Sequence, residues 1–313
     1  MNKVELLAPA GSLKCLKAAV ESGANAVYFA GKSFGARSFA ENLSNSEIEE
    51  GISYCCKHNV KAYTAVNTLV NNREIDKITE FLKFLSDVGA DAVIVQDLAV
   101  AELAKSLGLR IHASTQMSIH NLEGAKALER LGFDRVILAR ELSKENIRHI
   151  KKYSAIELEV FVHGALCVSY SGQCLMSSFI GGRSANRGKC AGPCRLPYSA
   201  GGERQKAYNL SLKDLSLINR LQELKDIGVA SLKIEGRMKG SDYVSGVTRM
   251  YRKYLDNSLS PDKEDIAVLE KLFYRGGYTD GYFNGGAGKG KSMFAPNKPD
   301  NPYDVQRRGG RRS

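Results

Sequence analysis

The chain has 313 residues, 43% of them hydrophobic, enough to bury a full core in one large domain or two and unlike any low-complexity or fibrous composition. No stretch approaches the roughly 18 apolar residues of a membrane span, and the opening MNKVELLAPAGS carries no apolar targeting core. A cytoplasmic, thiol-reducing setting with no membrane partner is therefore expected. The net charge of +11 is concentrated: residues 1–150 hold 18 Lys and Arg against 18 Asp and Glu, and residues 151–313 hold 27 against 16.

In chain order, short apolar or β-branched runs alternate with amphipathic segments. The runs are VELLAPAG, NAVYFAG, VKAYTAVN, DAVIVQD, RIHASTQ, DRVILAR and ELEVFVHG. Segments such as SEIEEGISYCCKHN, REIDKITEFLKFLSDVG and LAVAELAKSLG lie between them with helical spacing. Gly23, Gly89, Gly108 and Gly132 follow such segments as helix C-caps do. Strands recurring every ~20–35 residues predict parallel βαβ units. Seven strands precede a cysteine-rich loop, and YNLSLKD and SLKIEGR follow it. The fold class read from this count is α/β, a (β/α)8 TIM-type barrel, complete or imperfect, with a metal-binding loop inserted after the seventh strand. The barrel is assigned to residues 1–256, its loop to 163–206, and a Gly-, Pro- and Arg-rich C-terminal extension to 257–313.

In such barrels the carboxyl ends of the strands build the active site. Those tips read Pro9-Ala10-Gly11, Ala30-Gly31, Asn67, Gln96-Asp97, Ser114-Thr115-Gln116, Arg140-Glu141, His163-Gly164, Asp214 and Glu235-Gly236-Arg237. Asp97 and Ser114 suit helix N-caps. Gln116, Arg140, Glu141, His163, Glu235 and Arg237 exceed what capping needs and read as one polar mouth.

Cys167, Cys174, Cys190 and Cys194 fall within 28 residues, spaced C-x6-C-x15-C-x3-C, in a stretch too poor in apolar periodicity to hold itself by packing. Disulfides need an oxidising compartment. Zinc usually takes cysteines in close pairs, a spacing that only Cys190 and Cys194 have. An iron–sulfur cluster tolerates uneven spacing because its ligands sit on different corners of a larger body. The cluster is the preferred reading; zinc and unligated thiols stay open. Cys15, Cys55 and Cys56 read as small core residues. Between Gly181 and Lys206 stand Arg183, Arg187, Lys189, Arg195, Arg204 and Lys206 against Glu203 alone. Such a basic surface suits a polyanion, RNA above all, or else balances a cluster of thiolates.

The stretch EVFVHGALCVSYSGQCLMS, Glu159 to Ser177, resembles the signature of peptidase family U32, the collagenase-like proteins, at Glu159, Phe161, Gly164, Ala165, Cys167, Gly172, Cys174 and Ser177. The likeness extends from LLAPAGS through ASTQM and LARELS to SLKIEGRMK and RGGYTDGYF. The resemblance implies oxygen-independent hydroxylases holding a 4Fe-4S cluster, with prephenate as a possible co-substrate. Branches of the family make 5-hydroxyuridine at the tRNA wobble position, make 5-hydroxycytidine in 23S rRNA, or hydroxylate ubiquinone precursors. It places the cluster ligands on Cys167, Cys174, Cys190 and Cys194, and allows a second subunit of the same family. Relatives usually continue beyond the point where this chain ends, so an accessory C-terminal domain is expected to be missing or the chain to be a short form.

Within that expectation Arg140 and Arg237 clamp an anionic co-substrate. Glu141, Glu235 and His163 share the proton transfers. Gln116, Arg183, Arg187 and Arg195, with the Arg-rich tail, bind the RNA. A peptidase is the alternative, although no H-E-x-x-H helix or G-x-S-x-G elbow is present and only His163 and Cys167 suggest a Cys–His pair. A small-aromatic hydroxylase and a non-catalytic scaffold are the remaining classes.

Overall fold

The computed structural model describes residues 4–37, 40–199, 207–257, 259–273, 275–285 and 293–295. Six strand–helix units and a seventh strand come first: β1 (Glu5–Pro9), α1 (Leu13–Glu21), β2 (Ala26–Phe29), α2 (Asn45–Lys57), β3 (Lys61–Val66), α3 (Ile75–Asp87), β4 (Ala92–Val95), α4 (Leu98–Ser106), β5 (Ile111–Ala113), α5 (Leu122–Arg130), β6 (Arg135–Ile137), α6 (Lys144–Tyr153) and β7 (Glu157–Ala165). The cysteine loop follows with one short helix, α7 (Met176–Gly181). Then come β8 (Asp214–Ser216), α8 (Leu221–Ile227), β9 (Ser231–Ile234), α9 (Ser241–Asn257), α10 (Lys263–Leu272) and β10 (Tyr278–Thr279).

Strands β1 to β7 pair in sequence, all parallel, and β9 closes the ring by pairing with both β7 and β1. The expected eight-stranded barrel is therefore present, with SLKIEGR as its eighth strand. YNLSLKD plays another part. Its β8 runs antiparallel to the overhanging end of β7, pairing Asp214 with Ala165 and Ser216 with His163, and it carries β10 on its far edge. This pair of strands, parallel to each other, stands outside the ring. Where it is described, the C-terminal segment packs on the rest: α10 lies on α9, β10 pairs with β8, and Phe283 is buried. The Arg-rich tail lies outside the described residues.

Local signals explain the helices. Ser12, Ser44, Asp97, Asn121, Ser143 and Asp262 each accept a hydrogen bond from a first-turn amide. Gly23, Gly89, Gly108 and Gly132 all stand at positive φ just past their helices, as the sequence predicts. Between helices and sheet lies one continuous apolar core, including Leu16, Ile48, Leu82, Ile94 and Leu224.

The barrel interior is not apolar throughout. At its amino-terminal half, Arg135 of β6 meets Glu5 of β1 at 2.5 Å, Glu157 at 2.7 Å and Glu159 at 3.1 Å. Lys233 of β9 lies 2.7 Å from the other Glu159 oxygen and over the Tyr28 ring at 4.2 Å. Tyr63 donates to Glu5 at 2.8 Å. Every ion in this stack has an opposite partner, the condition under which buried charge is tolerated.

Candidate active site

Above the stack, three guanidiniums converge on one carboxylate. Arg140, just after β6, places Nη2 2.6 Å from Glu235 Oε2, and its Nη1 donates to Ala165 O at 2.7 Å. Its guanidinium lies 3.9 Å from the centre of the Phe161 ring. Arg37, from the loop after β2, reaches the same carboxylate oxygen at 3.4 Å. Arg237 is 4% exposed and adds its field. Burial pushes Glu235 up, but Arg37, Arg140 and Arg237 outweigh it and hold the carboxyl at about 2. Glu235 is thus a fixed anion that orders the arginines and a poor proton acceptor, contrary to its expected role. Burial and the neighbouring Arg37 bring Arg237 down to about 10, and its Nη1 has no hydrogen-bond partner. A buried donor left open, with positive charge in excess, suits an added anion.

Glu141 lies beside this cluster with a different environment. Ser171 Oγ is 3.1 Å and 3.2 Å from its two oxygens, and His120 Nε2 is 3.3 Å from Oε2. His120 Nδ1 faces Ser118 O at 2.6 Å, so that nitrogen carries a hydrogen. Tyr170 meets the His120 ring edge-on at 5.1 Å. Gln116 and Gln96 add amide oxygens that are buried without partners. Asn67 links two tips, accepting from Ala36 N–H and donating to Ser114 Oγ.

The cysteine loop is bolted onto this mouth. Gly172 (φ +75) packs so closely that a Cβ there would stand 2.3 Å from Gln116 O, and one at Gly188 (φ +76) would stand 2.8 Å from the Ala36 carbonyl carbon. Only glycine fits both the conformation and the approach. Arg187 pairs with Glu74 at 2.6 Å and donates to Leu69 O. Arg195 is directed inward, to Ser211 Oγ, Leu212 O and Leu166 O. Both arginines, expected on RNA, fasten the loop through contacts within the protein: Arg195 is partly buried, and Arg187 stays exposed while paired with Glu74. Arg183 is exposed, with Nε donating to Lys189 O at 3.0 Å; Arg204 and Lys206 lie outside the described residues.

Cys167, Cys174, Cys190 and Cys194 are free thiols on this loop. Burial pushes the Cys194 thiol up, Arg195 opposes it, and Cys167, Cys190 and Cys174 are all near enough to add to the push. Cys190 and Cys167 also act on Arg37, so the thiols adjoin the guanidinium cluster. The Gly192 N–H points at Cys190 Sγ at 3.3 Å, the contact a thiolate ligand receives. Among the described residues no three His, Cys, Asp or Glu side chains are drawn together closely enough for a single metal ion. Of the other cysteines, Cys15 and Cys55 are buried as expected and Cys56 is exposed.

His163 sits elsewhere. It is 1% exposed, ringed by Tyr243, Tyr251 and Tyr278, and burial brings it down to about 3. Tyr251 donates its hydroxyl hydrogen to Val162 O, leaving its oxygen to face His163 Nδ1 at 3.3 Å. A neutral imidazole fixed among tyrosines is neither a proton shuttle at the mouth nor the partner of a Cys167 nucleophile. Asp214 is buried on β8, outside the ring, with Arg275 at 3.6 Å.

Arg37, His120, Ser171 and Tyr170 were not predicted as site residues. Arg37 comes from GKSFGARSF, a polar loop without periodicity, and His120 follows a left-handed turn at Ser118. Neither stands at a strand tip, so only the closed barrel brings them in.

The model of peptidase family U32 matches residues 11–293. The chain is 37% identical to tRNA hydroxylation protein P1 of Bacillus subtilis, over 97% of this chain and 76% of that protein. It is 40% identical to an uncharacterized protease of Methanocaldococcus jannaschii, over 90% and 74%. It is 38% identical to the 23S rRNA 5-hydroxycytidine C2501 synthase of Escherichia coli, over 90% of this chain and 46% of that enzyme.

Proposed function

Because the chain belongs to peptidase family U32, and its relatives include proteins named for tRNA and rRNA hydroxylation, we propose that it is an enzyme that hydroxylates a base of RNA, without molecular oxygen and with an iron–sulfur cluster. The observation that carries this reading is the placement of four free cysteines on a loop fastened over a mouth of three arginines and one fixed carboxylate. Cys167, Cys174, Cys190 and Cys194 would hold a 4Fe-4S cluster. Bound there, it would supply electron transfer or a Lewis-acidic iron.

The chain's own groups divide the remaining work. Arg237, with Arg37 and Arg140 beside it, takes the carboxylate of a small anionic co-substrate that supplies the hydroxyl oxygen and is itself reduced by two electrons, for which prephenate is the candidate. Glu141, held by Ser171 and paired with His120, accepts the proton given up at the base. Gln96 and Gln116 offer amide groups for a base edge. The base must leave its stack to enter, which favours an unpaired loop as the target.

A peptidase needs an activated nucleophile, and His163, the expected partner of Cys167, is enclosed by tyrosines. Mass spectrometry of nucleosides from tRNA and rRNA of a strain lacking this gene tests the proposal. A hydroxylated pyrimidine that disappears and returns on complementation supports it. An unchanged nucleoside profile, with the purified chain cleaving peptides, replaces it with the peptidase reading.

A further inference from the structure

The cysteine loop exposes more apolar surface than its own packing requires. Phe179 is 84% exposed, Ile180 65% and Tyr170 64%, with Leu175 at 53%. Phe179 and Ile180 close the six-residue helix α7, midway between Cys174 and Cys190, and Ser177 of that helix is tied to the Cys190 side by the Ala191 N–H at 2.9 Å. Tyr170 stands at the rim against His120, beside Glu141. Exposed aromatic groups gathered around a site mark an interaction surface.

Charge decides what covers it. No acidic residue occurs between Glu159 and Glu203, a stretch that holds Arg183, Arg187, Lys189 and Arg195. Arg183 and Lys189 are exposed on the same loop. A second copy of a chain with net charge +11 would meet this surface with like charge. Aromatic rings set in a purely cationic surface match a single-stranded nucleic acid, whose bases stack on rings while its phosphates meet the cations.

We propose that Tyr170 and Phe179 form a stacking platform for unpaired bases flanking the nucleotide that enters the mouth, with Arg183 and Lys189 on the adjoining phosphates. This rests on the RNA reading and deepens it. Tyr170 holds the base next to the Glu141–His120 pair, and Phe179 holds one further out.

The chain has no tryptophan, so Phe179→Trp in the full, anaerobically purified protein reports on this surface alone. Because position 179 is almost fully exposed, substitution there leaves the core untouched. The expected result is fluorescence quenching by an unpaired RNA oligonucleotide and not by the same strand in a duplex. Phe179→Ala should bind the unpaired oligonucleotide about tenfold more weakly, with Phe179→Tyr close to the parent and Phe179→Leu close to alanine. Salt-dependent RNA binding with no quenching, and with Phe179→Ala binding as the parent does, overturns the platform and leaves the RNA reading standing. No RNA binding in any form overturns both. Quenching or a spectral shift with phosphatidylglycerol vesicles, and none with RNA, makes the surface a membrane contact and also overturns the proposal.

Discussion

His120 and Glu141 meet with Nε2 3.3 Å from Oε2, while Nδ1 is already committed to Ser118 O at 2.6 Å. The Nδ1 hydrogen is thereby fixed on the carbonyl, and Nε2 is left facing the carboxylate. A proton arriving at this pair would be held between two groups that neither Arg37 nor Arg140 contacts, whereas Glu235 is tied to both.

Glu141→Gln is therefore expected to lower the hydroxylation rate by about 100-fold or more, the usual scale of general acid–base loss. His120→Gln should do the same. RNA and co-substrate binding should persist in both. Single-turnover product formation, measured beside equilibrium binding, checks this; a rate unchanged in Glu141→Gln removes the pair from the mechanism.

Glu235 gives a pH prediction for stability. Its folded value, about 2, lies below the ordinary 4.5, so the unfolded chain binds the proton more readily. Its contribution is complete above pH 4.5 and is lost as pH falls towards 2, on the order of 3 kcal/mol in all. Denaturant midpoints between pH 5 and 2 should fall more steeply for the parent than for Glu235→Gln. Parallel curves would show that the arginines do not act on this carboxylate.

Loss of iron should follow the loop. Anaerobically purified protein is expected to be brown, with about four irons per chain, and Cys174→Ala or Cys190→Ala should be colourless. Cys56→Ala, on the exposed face of α2, should keep its colour. Iron and sulfide assays decide; zinc in place of iron refutes the cluster.

Gly172→Ala places a Cβ 2.3 Å from a backbone oxygen at positive φ. It should unseat the loop and lower iron content although no ligand is changed. Gly182→Ala has nothing within 4 Å of the new carbon and serves as the strain-only control. Equal iron in both variants would mean that the close approach to Gln116 is not what seats the loop.

Arg135→Met leaves Glu5 and Glu159 short of a partner deep in the barrel. A loss of about 3–5 kcal/mol is expected from chemical denaturation, with no change in iron content. A loss under 1 kcal/mol would show that the stack tolerates an open charge.

The parallel strands were readable because each is a short apolar run bounded by a glycine-capped helix, and β1 to β7 and β9 follow that pattern closely. YNLSLKD has strand-like residues too, and composition could not tell a ring strand from one laid antiparallel on the overhang of β7. The site was readable where it stands at strand tips: Arg140, Glu141, Glu235 and Arg237 do come together. Their roles were not. Glu235 loses basicity to three guanidiniums, one of them Arg37 from a loop about 200 residues away, and no local pattern announces that. His163 reads as a tip residue because it follows an apolar strand, yet the antiparallel β8 and helix α9 enclose it. Arg187 and Arg195 look like surface charge until Glu74 and the carbonyls of Leu166 and Leu212 are seen to claim them.

The ion stack of Glu5, Arg135, Glu159 and Lys233 also plugs the barrel from below. Traffic to the proposed site would then be confined to the side that the cysteine loop frames. Under the proposed reaction, a small anion seated deepest among the arginines would have to enter before the nucleotide and leave after it. A long polymer resting across the mouth would serve as the stopper that keeps water out.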